Sequence, residues 1–243
     1  GLEGLEPWLQ DTLASLGSNA PPVVNLVVSS MIKNDPVLDN GPNPHVWLDP
    51  NIVKQMADIV YNDLSSRDSA NAATFLSNRD AYKAELDALL GRITTAKSTL
   101  KGIKVVTIHP AFTYLFDLLE MNQIATMEKV EGQEPSNEYI QDVIQKMEDE
   151  GCELVVGQPQ IAAEEVYEIA REAGAKAAFP TPFPFVNDQN GEIIKTYIAM
   201  MDYNLWALTN PEDPPSEISG YTITLLMMIS LIGLLVFAFL KRK

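Results

Sequence analysis

The 243-residue chain contains two histidines, His45 and His109, and a single cysteine, Cys152. Imidazole is the commonest protein ligand for zinc and also suits other transition metals, so two histidines can supply half of a tetrahedral site. These two lie 64 positions apart, so only the fold can bring them together, and a histidine met alone is more often hydrogen-bonded scaffolding than a ligand. One cysteine excludes an internal disulfide, a Cys-rich zinc module and a CxxC redox motif. Set between Gly151 and Glu153, Cys152 reads as core filling. The chain has no HExxH helix, no nucleophile elbow and no phosphate-binding glycine loop, so nothing in it points to an enzyme.

Charge narrows the partners. Seventeen Lys and Arg stand against 33 Asp and Glu, a net charge of −16. Three of the basic residues are the terminal Lys241, Arg242 and Lys243, so the remainder is more acidic still. Such a surface repels phosphate backbones and argues against nucleic acid; it tolerates cations nearby, as does any acidic, soluble domain.

The elements that must position the histidines follow from pattern. A short helix is expected from Glu6 to Leu16, then an apolar run, Val23 to Val28, and a loop rich in Asn, Asp, Pro and Gly through Pro44. Asp49 and Pro50 form an N-cap and first-turn signal for a helix reaching Leu64. From Ala72 to Leu100 the apolar residues Phe75, Tyr82, Leu86, Leu89, Ile93, Ala96 and Leu100 recur at three and four, which predicts one amphipathic helix roughly 45 Å long. That exceeds a small lobe, so the helix can run along two. Beyond Lys101-Gly102 strands and helices alternate: strands Val105 to His109, Gln123 to Val130, Glu153 to Gly157 and Lys176 to Phe179; helices Ala111 to Leu119, Ser136 to Glu150, Ala162 to Ala173 and Ile193 to Leu208. This order implies a parallel sheet covered on both faces. Ligands of such sheets bind beyond the C-terminal strand ends, where His109, Gln158 and Thr181 fall.

Residues 221–240 carry no charge and, as a helix of about 30 Å, are long enough to cross a bilayer. With Lys241-Arg242-Lys243 held in the cytoplasm, the acidic domain before the span is expected outside the cell membrane. The Pro-rich residues 210–220 read as a stiff, solvated linker. An exported domain needs a signal, and Gly1 to Trp8 has neither a basic region nor an apolar run, so the true N-terminus is expected to lie upstream.

Two segments carry a resemblance. Pro44-His45-Val46-Trp47-Leu48-Asp49-Pro50 is similar to the PHxWLDP motif, and His109-Pro110-Ala111-Phe112-Thr113-Tyr114-Leu115-Phe116 to the HxAFxYF motif, of zinc/manganese ABC-transporter solute-binding proteins. Gly4-Leu5-Glu6-Pro7-Trp8-Leu9, Gly132-Gln133-Glu134-Pro135-Ser136 and Ile169-Ala170-Arg171-Glu172-Ala173-Gly174-Ala175-Lys176 match in the same order. The resemblance covers residues 1 to about 209. It implies an α/β fold of two lobes with parallel sheets joined by one long helix: residues 1–70 the remainder of a first lobe, 71–101 the linking helix and 102–209 the second lobe. It also implies a metal between the lobes, ligated by His45 and His109. Histidine at position 109 matches the family's zinc-type members, so zinc is expected as the cargo ahead of manganese, with a membrane permease as partner.

The chain departs from the family pattern in two places. The family's first histidine ligand belongs to a stretch upstream of Gly4 that this sequence does not contain. Its usual fourth ligand, an aspartate in an LDP-like turn, is matched here by Pro180-Thr181-Pro182; Thr181, or Asp188 in the same loop, stands where that ligand is sought. The competing expectation is a metal-free cell-surface adhesin or scaffold on the same fold.

Overall fold

Asp49 starts the first long helix as its side chain demands. In the computed structural model, which describes residues 7–38, 41–130, 133–161 and 163–216, its carboxylate accepts the Asn51 amide at 2.8 Å. Pro50 occupies the first helical position, where its missing N–H is not needed. Element α1 is Pro7–Leu16, α2 is Pro50–Arg67 and α3 is Ala72–Leu100. Helix α3 buries Leu86, Leu89, Ile93 and Leu100, one stripe of its 29 residues. Its N-terminal part lies against α2, with Lys83 Nζ 2.7 Å from Asp58. Its C-terminal part meets α7 (Tyr197–Thr209), with Arg92 Nε 2.6 Å from Asp202. One helix thus contacts both α2 and α7.

Gly102, at a φ of +82°, turns α3 into the sheet. Strands β1 (Lys104–Thr107), β2 (Asn122–Thr126), β3 (Leu154–Val156) and β4 (Lys176–Ala178) form one sheet in the order β2-β1-β3-β4. All three pairings are parallel. Helix α4 (Thr113–Leu119) lies with α3 and α7 on one face, in a core holding Val105, Leu154, Val156 and Ala178. Helices α5 (Asn137–Glu150) and α6 (Ala163–Glu172) cover the other, against Val106, Val155 and Ala177. The two-residue alternation of strand side chains separates these cores. Because β2 and β3 flank β1 on opposite sides, the chain reverses direction between β1 and β3, the switch point at which open parallel sheets bind ligands.

Several expectations need correction. Of the two parallel sheets expected, the described residues form one; before Ala72 they contain only an isolated bridge between Asn34 and Pro42. The apolar run Val23 to Val28 joins no sheet among the described residues, and Val23 is 56% exposed. Helix α7 begins at Tyr197 rather than Ile193, since Thr196 caps it by accepting the Ala199 amide at 3.2 Å while Ile193 is bridged to Asn187. The linker is not wholly solvated: Glu212 and Ala177 exchange backbone hydrogen bonds of 2.7 and 2.8 Å, closing the outer edge of β4, and Tyr167 donates to the Glu212 carboxylate. The expected span at 221–240 lies outside the described residues, among which no helix is long and apolar enough to cross a membrane.

Candidate metal centre

The fold brings the two histidines together. His45 precedes a single 3-10 turn, Val46–Leu48, that feeds α2; His109 lies just past β1 at the switch point. Their Nε2 atoms are 3.2 Å apart and their rings nearly perpendicular, with centres separated by 5.0 Å. A tetrahedral zinc with bonds of about 2.0–2.1 Å holds two imidazole nitrogens about 3.3 Å apart and the ring centres about 5 Å apart. The observed pair therefore has the separation of two ligands on one ion.

Hydrogen bonds at the far side of each ring decide where the lone pairs point. His45 Nδ1 lies 2.8 Å from Asn43 Oδ1, which also accepts the His45 amide at 3.0 Å. His109 Nδ1 meets the Glu128 carboxylate. Both partners accept only, so each Nδ1 carries a proton and each Nε2 directs a bare lone pair at the other. Two lone pairs at that distance repel unless one positive charge, a proton or a metal ion, lies between them. An outer carboxylate or carbonyl behind a ligating histidine is the usual way its tautomer and orientation are fixed.

Glu128 reaches His109 because the parallel ladder continues past the end of β2. Met127 N–H donates to Thr107 O at 2.8 Å and Glu128 N–H to Ile108 O at 3.0 Å. His45 is only 4% exposed, and this burial, followed by the proximity of His109, lowers its pKa from 6.5 to about 3. It is therefore neutral, as a ligand must be, throughout the ordinary pH range.

Trp47 ties the loop after β4 to the first half. Its indole N–H donates to Pro182 O at 2.9 Å, and its ring lies 5.9 Å from that of Phe183. Thr181 sits buried in that loop with its hydroxyl used locally, donating to Phe183 O at 2.7 Å and accepting from Gln160 Nε2 at 3.1 Å. Asp188 turns back on its own loop, accepting the Asn190 and Glu192 amides at 2.8 and 2.9 Å, which lowers its pKa. Neither side chain hydrogen-bonds to the histidine pair. Gln158 is buried beyond the end of β3, and its amide nitrogen has no hydrogen-bond partner among the described residues. Among the described residues no cluster of three or more His, Cys, Asp or Glu is arranged to hold a metal; the assembled donors are two nitrogens.

Asn43 and Glu128 went unnoticed in the sequence. Asn43 stands two residues before His45, where an amide can fold back on the ring. Glu128 fell within the strand expected to reach Val130, and β2 pairs in parallel with the strand that delivers His109.

The described residues thus combine a four-stranded parallel sheet, a long helix that packs on both halves, and a histidine pair brought together from positions 45 and 109. The chain belongs to the family described as ZnuA, zinc-uptake complex component A, periplasmic, whose model matches residues 1–210. It is 25% identical over 227 residues to the zinc-binding protein AdcA of Streptococcus pyogenes serotype M3, covering 85% of this chain and 44% of that protein. It is 27% identical over 116 residues to the high-affinity zinc uptake system protein ZnuA of Brucella abortus, covering 48% and 35%. The chain thus spans less than half the length of these relatives. Its fold matches a crystal structure of a zinc-bound ZnuA deletion mutant with a TM-score of 0.70 at 23% identity, over 88% of this chain and 77% of that one. It also matches the laminin-binding adhesin Lmb of Streptococcus agalactiae, with a TM-score of 0.68 at 23% identity, over 84% and 76%.

Proposed function

We propose that this chain is the extracytoplasmic binding component of a divalent-metal ABC importer, which captures an ion between its two halves and delivers it to a membrane permease. The observation that carries the reading is the opposition of two bare imidazole Nε2 atoms at 3.2 Å, one from each half, each ring anchored through Nδ1. His45 and His109 are the metal ligands in this reading. Two imidazoles favour zinc over manganese, which prefers oxygen donors. With two nitrogens and no clustered carboxylates, the remaining positions on a bound zinc fall to water or to a group outside the described residues.

The protein performs no reaction in this role. Residues 221–240 anchor it in the cell membrane with the binding domain outside, where a metal importer collects its cargo. The adhesin reading shares the fold but leaves the converging lone pairs without a purpose.

Calorimetric titration of the full chain with zinc tests this. One ion per chain is expected, with His45→Ala and His109→Ala each weakening binding at least tenfold while circular dichroism is unchanged. Unaltered affinity in either variant would overturn the assignment.

A further inference from the structure

Behind His45 lies a buried side chain whose hydrogen-bond capacity is completely used. Asn43 is 0% exposed. Its Nδ2 donates to Asp35 Oδ2 at 2.8 Å and to Pro110 O at 2.6 Å. Its Oδ1 accepts both the amide and the ring Nδ1 of His45. The main chain is fixed as firmly: Asn43 N–H donates to Lys33 O at 3.0 Å, and Asn43 O accepts from Tyr114 Oη at 2.9 Å.

The orientation of this carboxamide follows from its neighbours. The Asp35 carboxylate and the Pro110 carbonyl accept only, so the NH2 group must face them and the oxygen must face His45. Asp35 is itself buried and held by the Val37 amide at 3.1 Å and by the Thr113 hydroxyl. An acceptor fixed at His45 Nδ1 admits only the tautomer that keeps its proton there. Pro110 directly follows His109, so the same amide fastens the first histidine's segment to the second's.

We propose that Asn43 is the positioning residue of the histidine pair, setting the tautomer of His45 and its register against the His109 segment. Asn43 touches no metal; it acts through His45. Its effect on affinity rests on the metal-receptor reading, whereas its effect on the tautomer does not.

The chain has only two histidines, so labelling histidine with 15N and recording long-range proton–nitrogen spectra reports four ring nitrogens. In the metal-free full chain in detergent at neutral pH, His45 is expected to be protonated at Nδ1 and bare at Nε2. Asn43→Ala is expected to release His45 toward the Nε2–H form, to keep the His109 proton on Nδ1 while the signal of the facing His109 Nε2 shifts, and to weaken zinc binding 10- to 100-fold.

The reciprocal double variant Asp35→Asn with Asn43→Asp exchanges donor and acceptor across that pair, and position 43 still accepts from His45, but the Pro110 carbonyl loses its donor and faces a carboxylate oxygen. It is expected to keep the Nδ1–H tautomer while its zinc affinity stays below that of the parent. A wild-type spectrum with the His45 proton on Nε2 overturns the proposal without any variant. So does an Asn43→Ala chain that retains the Nδ1–H form or full zinc affinity, or a reciprocal variant that loses that form. Should Asn43→Ala fail to fold, the wild-type and reciprocal spectra decide. If the parent binds no zinc, the importer reading falls, and the metal-free spectra still test Asn43.

Discussion

At the scale of single residues, the decisive feature is a histidine kept neutral by burial. His45 titrates at about 3 when folded, against 6.5 in an exposed chain. Between those values the unfolded chain holds a proton that the folded one lacks. Stability of the metal-free protein therefore falls as pH drops from about 6.5 toward 3, and above 6.5 the penalty is absent. The slope approaches about 1.4 kcal/mol per pH unit, so moving from pH 7 to 5 should remove roughly 2 kcal/mol. Urea unfolding of the metal-free chain at the two pH values checks this against His45→Gln, which should lose about that much less than the wild type. Equal losses would show that His45 is not held neutral by the fold.

At the scale of elements, much was legible. Asp49-Pro50 announced α2, the three-and-four spacing announced α3 to the residue, and alternation announced the four strands of the sheet. What the sequence hid was contact that depends on a partner. Val23 to Val28 has the composition of a strand, but a strand exists only as part of a ladder. Ile193 was expected in a helix because apolar spacing does not reveal that Thr196 caps the first turn. For the site, both histidines were legible from type and motif, but their anchors, Asn43 and Glu128, depend on a fold-back and on parallel register. The docking of Glu212 on β4 was equally invisible, a proline-rich tail being solvated by default. It leads to a prediction: ending the chain after Asn210 should lower the melting temperature by several degrees relative to ending it after Ser216. Two backbone hydrogen bonds and the Tyr167 contact are lost, about 1–3 kcal/mol, in a domain where 1 kcal/mol shifts the melting point by about 2–4 °C. Calorimetric melting of the two truncated proteins measures it, and identical transitions would mean that the segment from Pro211 to Ser216 contributes no support to the sheet.

At the scale of the molecule, one long helix is shared by two halves, and in the proposed reading one histidine from each makes the ion a cross-link between them. Helix α3 joins the halves through its buried Leu86, Leu89 and Ile93, and Trp47 latches the loop after β4 across the junction, so the two Nε2 atoms are held at ligand spacing. X-ray absorption at the zinc edge of the loaded full chain measures this arrangement most directly. The account predicts two imidazoles per zinc at about 2.0–2.1 Å, with oxygen donors completing the shell, and one imidazole in either His45→Ala or His109→Ala. A wild-type spectrum with fewer than two imidazoles, or one that neither substitution changes, would contradict it.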